Sequence, residues 1–468
     1  MRFFIKNTGK IDENTGKTDA SAPALFDAGR WYTYGELYRE VENWAARFRP
    51  GELVLSFCRN DLASVAVYLG ALEAGAPIAL LPENLAAEFQ EQLIHAYDPE
   101  HVFHAAGGSE KGKGLETRQN SARGEIHPRL ALLLSTSGTT GNPKFVRLSI
   151  ENVRANACSI AEALGISAAS RAIASLPMHY SYGLSVINSH LVSGASIVLT
   201  NEGLMSGDFW KLVREQECES FAGVPYSYQI LDRLNLDRLN VPSIRALTQA
   251  GGKLGSELIA KFHETMSRRG GRFFTMYGQT EATARISVLP PEMLPAKAGS
   301  VGFAIPGGSI EIGESGEVTY TGPNVMLGYA ENRAELALGD TQGGTLSTGD
   351  LGYLDEDGCL WITGRMKREA KLYGLRVNLD DLESLVRVHG PAAAIANSSA
   401  AGAERLNIYC EFDEALFAGC REELAVKLRV HHAAFVFHRV ERLPVTSAGK
   451  IDYRALESTA SEGTRGNR

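Results

Sequence analysis

The sequence predicts an α/β protein: a large, layered N-terminal region followed by a small α+β domain. Two observations carry that expectation. Helical patterns and short apolar runs take turns over the first 340 residues, which is the signature of a largely parallel sheet with helices on its faces. After Trp361 the composition shifts to a basic stretch, and the elements beyond it become shorter.

The elements follow in chain order. Tyr34–Arg47 and Leu62–Leu72 carry helical patterns, and Ile78–Leu81 is a short buried strand placed after the break at Gly75 and Pro77. Glu73 and that break also exclude a membrane span over Leu62–Pro82, the most apolar stretch. Ala105–Gly124 is rich in Gly, Lys, Ser and Arg and reads as a surface connection. Within it Gly107–Gly114 matches G-x-x-x-x-G-K but ends in Gly, so it lacks the hydroxyl that a Walker loop offers to magnesium. Leu130–Leu134 is a second buried strand, Asn152–Leu164 a helix, and Ala172–Leu176 and Ile197–Leu199 are further strands. Residues 457–468 have almost nothing to bury and are expected to be disordered.

Composition narrows the function. The 468 residues are 44% hydrophobic and 22% charged, ordinary for a soluble enzyme, and a net charge of -8 argues against nucleic acid as the main partner. Six cysteines lie scattered without a C-x-x-C pair, which fits a reducing cytoplasm better than a disulfide frame or a zinc site. The apolar start, Met1–Lys6, is too short for a secretory signal, and the protein is expected to be cytoplasmic.

The most informative string is Ser135–Lys144, S-T-S-G-T-T-G-N-P-K, directly after the strand at Leu130–Leu134. Its glycines let backbone N–H groups turn inward, and its hydroxyls add donors, so the loop can cradle an anionic oxygen. Pro143 before the lysine and Phe145 after it exclude a Walker loop.

Four more strings follow in order: Tyr277–Glu281 (Y-G-Q-T-E), Ser347–Asp350 (S-T-G-D), Gly364–Arg365 with its basic continuation, and Pro444–Lys450 (P-V-T-S-A-G-K). Together with the first, they resemble the adenylate-forming superfamily of acyl-CoA synthetases, peptide-synthetase adenylation domains and luciferases, from about Tyr32 to Leu456. The resemblance implies a domain over residues 1–365 that binds ATP and the acyl group, made of layered α/β subdomains plus a small barrel-like portion. It implies a mobile lid over residues 366–456. The reaction it implies is attack of a carboxylate on the α-phosphorus of ATP, release of pyrophosphate, and transfer of the acyl group from AMP to a thiol.

The same resemblance assigns roles. Lys450 and Thr280 would be catalytic, the lysine bridging carboxylate and α-phosphate. Thr136, Ser137, Gly138, Thr139, Thr140, Gly141 and Lys144 would hold ATP, with Gly251, Gly252, Tyr277, Gly278, Gln279, Asp350 and Arg365. Glu281 would hold Mg2+, and Lys367 would be the hinge. Lys371 and Arg376 match common cations of the lid; five cations stand against the single acid Glu369 between Gly364 and Arg376, a face that is either solvated or turned to AMP and a phosphopantetheine arm.

Pro177–Leu184 reads P-M-H-Y-S-Y-G-L where relatives often carry P-L-F-H-x-x-G, so the gating position falls on His179 or on Tyr180. Tyr182, Gly183 and Tyr226 complete the expected acyl pocket, with Tyr228 as a further aromatic wall. Ser181 falls nearest the place where amino-acid-activating relatives keep an Asp. The nearest acid is Glu202, so a free amino acid is disfavoured. Coenzyme A is the expected acceptor, then the phosphopantetheine of a carrier protein, then an amine or alcohol. The readings from other classes, a nucleotide-binding scaffold and a phosphoryl-transferring NTPase, would need a damaged motif or a true Walker loop, and the sequence has neither.

Overall fold

The computed structural model describes residues 19–105, 114–118, 124–135, 144–366, 368–372, 375–398, 404–428, 430–446, 449–453 and 455–456. The chain divides into two compact units. The first takes in the residues up to Ile310 together with Tyr320–Leu346; the second takes in Glu311–Thr319 and the residues from Ser347 on.

Two large sheets build the first unit. In the nine-stranded one, six neighbours run parallel in the order Arg272–Tyr277, Ala246–Gln249, Ser220–Gly223, Arg171–Ala174, Ser196–Leu199, Pro23–Asp27. Antiparallel strands finish both edges: Arg30–Thr33 on one side, Ser287–Leu289 and Phe303–Ala304 on the other. The seven-stranded sheet has a parallel centre of Leu130–Ser135, Ile78–Pro82, Val54–Cys58 and His101–His104. Antiparallel Phe145–Ser149 and Gly328–Ala330 extend one edge, and Leu115–Thr117 the other.

Strands at the centres are mostly buried, Val54–Cys58 along its whole length and Leu130–Ser135 at all but Ala131 and Ser135, because helices cover the sheet faces. The helix Tyr34–Ala45 starts on a capping box in which Thr33 and Glu36 satisfy each other's backbone N–H, a device worth about 1 kcal/mol. Its face of Leu37, Val41 and Trp44 joins Val65, Val67 and Leu69 of the helix Leu62–Ala74 in one core. The helix Ile150–Leu164 begins on a second such box at Ser149 and Asn152 and ends at Gly165 in the left-handed region, φ 66°. The elements expected from sequence are all present, with ends displaced by one to two residues.

The second unit contains most of a four-stranded sheet in the order Ser309–Ile312, Glu317–Thr321, Thr345–Leu354, Leu360–Arg365. Beyond it, Glu369–Leu372 and Leu375–Asn378 form a hairpin, and Ala392–Ser398, Glu404–Cys410 and Phe435–Arg439 form a three-stranded sheet. One face of this sheet packs with the helices Leu379–Val386 and Phe417–Leu428 through Leu382, Val386, Leu406, Ile408 and Leu424. The alternate residues Ala393, Ile395 and Tyr409 pack against Leu443, Ile451, Tyr453 and Leu456, so the residues around Lys450 rest on the opposite face. The second unit holds the short α+β elements expected after Trp361, and it also takes in Glu311–Thr319 and the strands from Ser347 to Arg365, which lie before that point. Among the described residues no helix is long and apolar enough to cross a membrane.

Candidate active site

The parallel strand Arg272–Tyr277 hands the chain to Gly278, Gln279 and a 3-10 turn over Thr280–Ala282. This turn doubles back so closely that a Cβ on residue 278 would lie 2.0 Å from the Ala284 carbonyl oxygen, so only glycine fits there. Asn324 pins it: its Nδ2 donates to the carbonyls of Ala282 and Arg285, both at 2.9 Å, and its own carbonyl accepts from Thr283 Oγ1 at 2.7 Å. Thr283 is held at φ 64°, a conformation a β-branched residue takes only under such constraint. The backbone of Tyr277–Glu281 is therefore fixed before any ligand arrives.

Glu281 accepts a 2.8 Å hydrogen bond on Oε1 from the hydroxyl of Tyr329, and its backbone carbonyl accepts from Met326 N at 2.9 Å. The ring of Tyr329 in turn lies under Lys144, whose Nζ is 3.5 Å from the ring centroid. Lys144 precedes the strand Phe145–Ser149, and Tyr329 pairs with Val146 across its antiparallel edge. Burial, with the Glu281 charge beside it, raises the Tyr329 pKa, so the phenol remains a donor. Two residues from different strings thus meet through a tyrosine that neither string contains.

The segment after Pro177 forms an aromatic cluster. Ser181 Oγ lies 3.2 Å from Thr280 Oγ1, which ties this segment to the 3-10 turn. Tyr180 and Tyr182 pack edge to face at 6.3 Å. Tyr182 and Tyr228 both donate to the carbonyl of Thr248, at 2.9 and 2.8 Å, so these two hydroxyls are committed to the fold. Burial pushes the Tyr182 phenol up to about 12 and pulls His179 down to about 4, leaving a neutral imidazole. Both His179 ring nitrogens are buried without a hydrogen-bond partner. Tyr226 is half-buried against the same cluster, and Gly183 lies in the first turn of the helix Ser181–Val192. Gly251 sits at φ 84°, and Gly252 accepts from Gln249 Nε2 at 2.8 Å, which closes the turn after Ala246–Gln249.

In the second unit Asp350 is 4% exposed and pairs with Arg365 Nε at 3.0 Å, directly across the strands Thr345–Leu354 and Leu360–Arg365. Lys450 lies in a hairpin closed by Thr446 N to Lys450 O at 2.7 Å, Gly449 N to Thr446 O at 2.8 Å, and an antiparallel bridge between Val445 and Ile451. The lysine itself is half-buried. Three residues on, Tyr453 donates to Glu383 at 3.0 Å, and Glu383, 1% exposed, also holds Arg368 at 2.7 Å and Arg387 at 2.5 Å. Arg368, one of the cations of the basic stretch, is thereby drawn inward instead of toward solvent.

Thr136, Ser137, Gly138, Thr139, Thr140, Gly141 and Lys367 lie outside the described residues, as does Gly107–Lys113; nothing is described of the side chains of Lys371 and Arg376. Sequence reasoning missed Tyr329, Asn324, Glu383 and Tyr453. Each acts on a motif residue from a distance in sequence, Tyr329 from 48 positions away, and no local pattern marks such a contact.

The sequence matches the AMP-binding enzyme family over residues 12–330. It is 28% identical to the 2-succinylbenzoate–CoA ligase of Bacillus licheniformis, over 92% of this chain and 95% of that one. It is 27% identical to the oxalate–CoA ligase of Arabidopsis thaliana, over 95% of this chain and 96% of the relative. Among solved structures, the o-succinylbenzoate CoA synthetase of Bacillus subtilis in complex with its acyl-adenylate intermediate shares the fold with TM-score 0.75 at 22% identity, covering 93% of this chain and 95% of that one. The amide bond synthetase of Marinactinospora thermotolerans does so with TM-score 0.76 at 22% identity, covering 94% and 97%.

Proposed function

We propose, because the chain belongs to the AMP-binding enzyme family, that it joins a carboxylic acid to the thiol of coenzyme A at the expense of ATP. In the first half-reaction a carboxylate oxygen attacks the α-phosphorus, and pyrophosphate leaves with the electron pair of the broken P–O bond. In the second the thiolate attacks the acyl carbonyl of the adenylate, and AMP leaves. The observation that carries the reading is the join of Lys144, Tyr329 and Glu281, which puts a cation from the Ser135–Lys144 string and a carboxylate from the Y-G-Q-T-E string on one tyrosine.

Charge accumulates on the phosphoryl oxygens as the acid attacks, so catalysis needs donors and cations fixed in advance. Lys144 and the hydroxyls of Thr136, Ser137, Thr139 and Thr140 supply them around the phosphates, with Gly138 and Gly141 permitting the turn. Thr280 adds a hydroxyl at the α-phosphate. Tyr277 offers its ring to adenine beside Gly251, Gly252, Gly278 and Gln279, and Asp350 with Arg365 receives the ribose. Glu281 suits Mg2+, for the Tyr329 bond engages Oε1 alone and a magnesium ion commonly takes one or two protein carboxylates beside phosphate oxygens. When bound, that ion neutralises charge across the phosphates. Lys450 bridges the two anions that must meet, in a lid over residues 366–456 turning at Lys367.

Relatives that are CoA ligases favour coenzyme A over a carrier-protein phosphopantetheine, which would present the same thiol. The scattered cysteines favour a cytoplasmic setting. The test is acid-dependent exchange of labelled pyrophosphate into ATP across fatty, hydroxy, aryl and amino acids, followed by thioester formation with coenzyme A. Exchange with one class is expected. Silence with every acid, in a protein that binds ATP by calorimetry, would leave a nucleotide-binding scaffold in its place.

A further inference from the structure

A small cavity lies behind the turn that carries Thr280. Its walls include Asn156 and Ala157 of the helix Ile150–Leu164, Ser181, Ser185 and Asn188 of the helix Ser181–Val192, and Thr283 of the turn itself. Its volume of about 10 Å³ suits one water molecule and nothing larger. An apolar cavity stays dry, whereas one that offers a water several polar partners is hydrated.

One polar atom on that wall is unmet. Asn156 is 1% exposed; its Nδ2 donates to the Arg285 carbonyl at 3.0 Å, but its Oδ1 is buried without a hydrogen-bond partner. A buried acceptor left in that state costs about 1–3 kcal/mol, so the position calls for a donor. Three neighbours already have partners. Ser185 Oγ donates to the Tyr182 carbonyl at 2.7 Å, Thr283 Oγ1 donates to the Asn324 carbonyl at 2.7 Å, and Asn188 Oδ1 accepts from the Tyr68 hydroxyl at 3.2 Å. Ser181 differs, because either hydroxyl could be the donor in its 3.2 Å contact with Thr280 Oγ1. A hydroxyl has one proton to give, so if Thr280 spends it on Ser181 it has none for a phosphate oxygen.

We propose that this cavity holds one water, and that Ser181, accepting from it, is the positioning residue that commits the Thr280 hydroxyl to donate to the α-phosphate. The water gives one proton to Asn156 Oδ1 and the other to Ser181 Oγ, and accepts from the Asn188 amide. Ser181 then gives its own proton to Thr280 Oγ1, and the Thr280 proton is left for the ligand. The inference rests on the acid-activating reading above and deepens it by fixing the direction of one hydrogen bond. A donor aimed before charge develops needs no reorganisation as the acid attacks, which is where its catalytic worth lies.

A crystal structure of the full-length protein with its internal waters should show one water within about 2.7–3.2 Å of both Asn156 Oδ1 and Ser181 Oγ. Exchange kinetics test the consequence. Ser181→Ala should lower the rate of pyrophosphate exchange by about tenfold, less than the roughly 10²–10³-fold lost with a donor itself, and leave the KM for ATP unchanged. On a Thr280→Val background the same substitution should cost nothing more, because Ser181 acts only through that hydroxyl. Ala157→Val, which fills the cavity and replaces no hydrogen-bonding side chain, should reproduce the Ser181→Ala loss. The wild-type crystal structure still decides should the variants fail to fold. A dry cavity, or losses that add in the double variant, overturns the inference and leaves acid activation standing. No exchange with any acid overturns both.

Discussion

The turn after Tyr277 and the hairpin around Lys450 serve the same proposed chemistry and are built on opposite principles. The first sits at the end of a buried parallel strand, and its backbone is fixed by Asn324, by a glycine that has no room for a Cβ, and by a threonine at positive φ. Two of its polar side chains, Thr280 and Glu281, meet Ser181 and Tyr329. The hairpin packs through Ile451 on one face of a small sheet, and its footing is a buried carboxylate, Glu383, shared by Tyr453, Arg368 and Arg387. One region stores its precision in backbone, the other in a charged side-chain network. Substitutions should therefore separate chemistry from stability cleanly in the first region and mix them in the second.

The largest effect is expected at Lys450. Lys450→Ala should lower the exchange rate by roughly 10²–10³-fold, the usual loss when a fixed donor to a developing anion is removed. ATP binding, which the other proposed contacts carry, should change little by calorimetry. Exchange at the wild-type rate would take Lys450 out of the reaction and break the comparison at its functional end.

Glu383→Ala comes next and acts on stability first. Removing it leaves Arg368 to Asp380 and the Ala394 carbonyl and Arg387 to the Ala392 carbonyl, and takes the acceptor from the Ala394 N–H, which Glu383 Oε1 holds at 2.7 Å. Losing hydrogen bonds to a buried carboxylate costs about 1.5–3 kcal/mol, so urea unfolding should show the second unit melting earlier, and exchange should fall only where that unit has unfolded. A variant with unchanged unfolding would mean that the hairpin's footing lies in its apolar contacts alone.

These two regions also show what a single sequence reveals. The helix Tyr34–Ala45 and the strand Leu130–Ser135 were legible because a helical pattern and an unbroken apolar run are local signals. The motif strings were legible for the same reason: a loop that cradles an anion needs its glycines and hydroxyls side by side. Tyr329 and Glu383 were not. A tyrosine in G-Y-A and a glutamate in a helix are unremarkable until the fold brings them to Glu281 and to Arg368, 48 and 15 positions away. The basic stretch misled in a related way, since charge counting cannot tell that Arg368 turns inward.

Tyr329 gives the smallest effect and the sharpest one. Its hydroxyl holds Glu281 and its ring supports Lys144, so one side chain carries two separable contacts. Tyr329→Phe removes only the hydrogen bond to a carboxylate, worth about 1.5–3 kcal/mol at most, and should slow exchange by roughly tenfold while raising the magnesium concentration needed for half-maximal rate. Tyr329→Leu removes the ring as well and should add a loss in ATP affinity through Lys144. If Phe and Leu behave alike, the ring contact is idle and the site depends on Glu281 alone. If Phe matches the wild type while Leu does not, the tyrosine acts on the lysine, and Glu281 is oriented by the turn itself, through the Met326 N–H that already holds its backbone carbonyl at 2.9 Å.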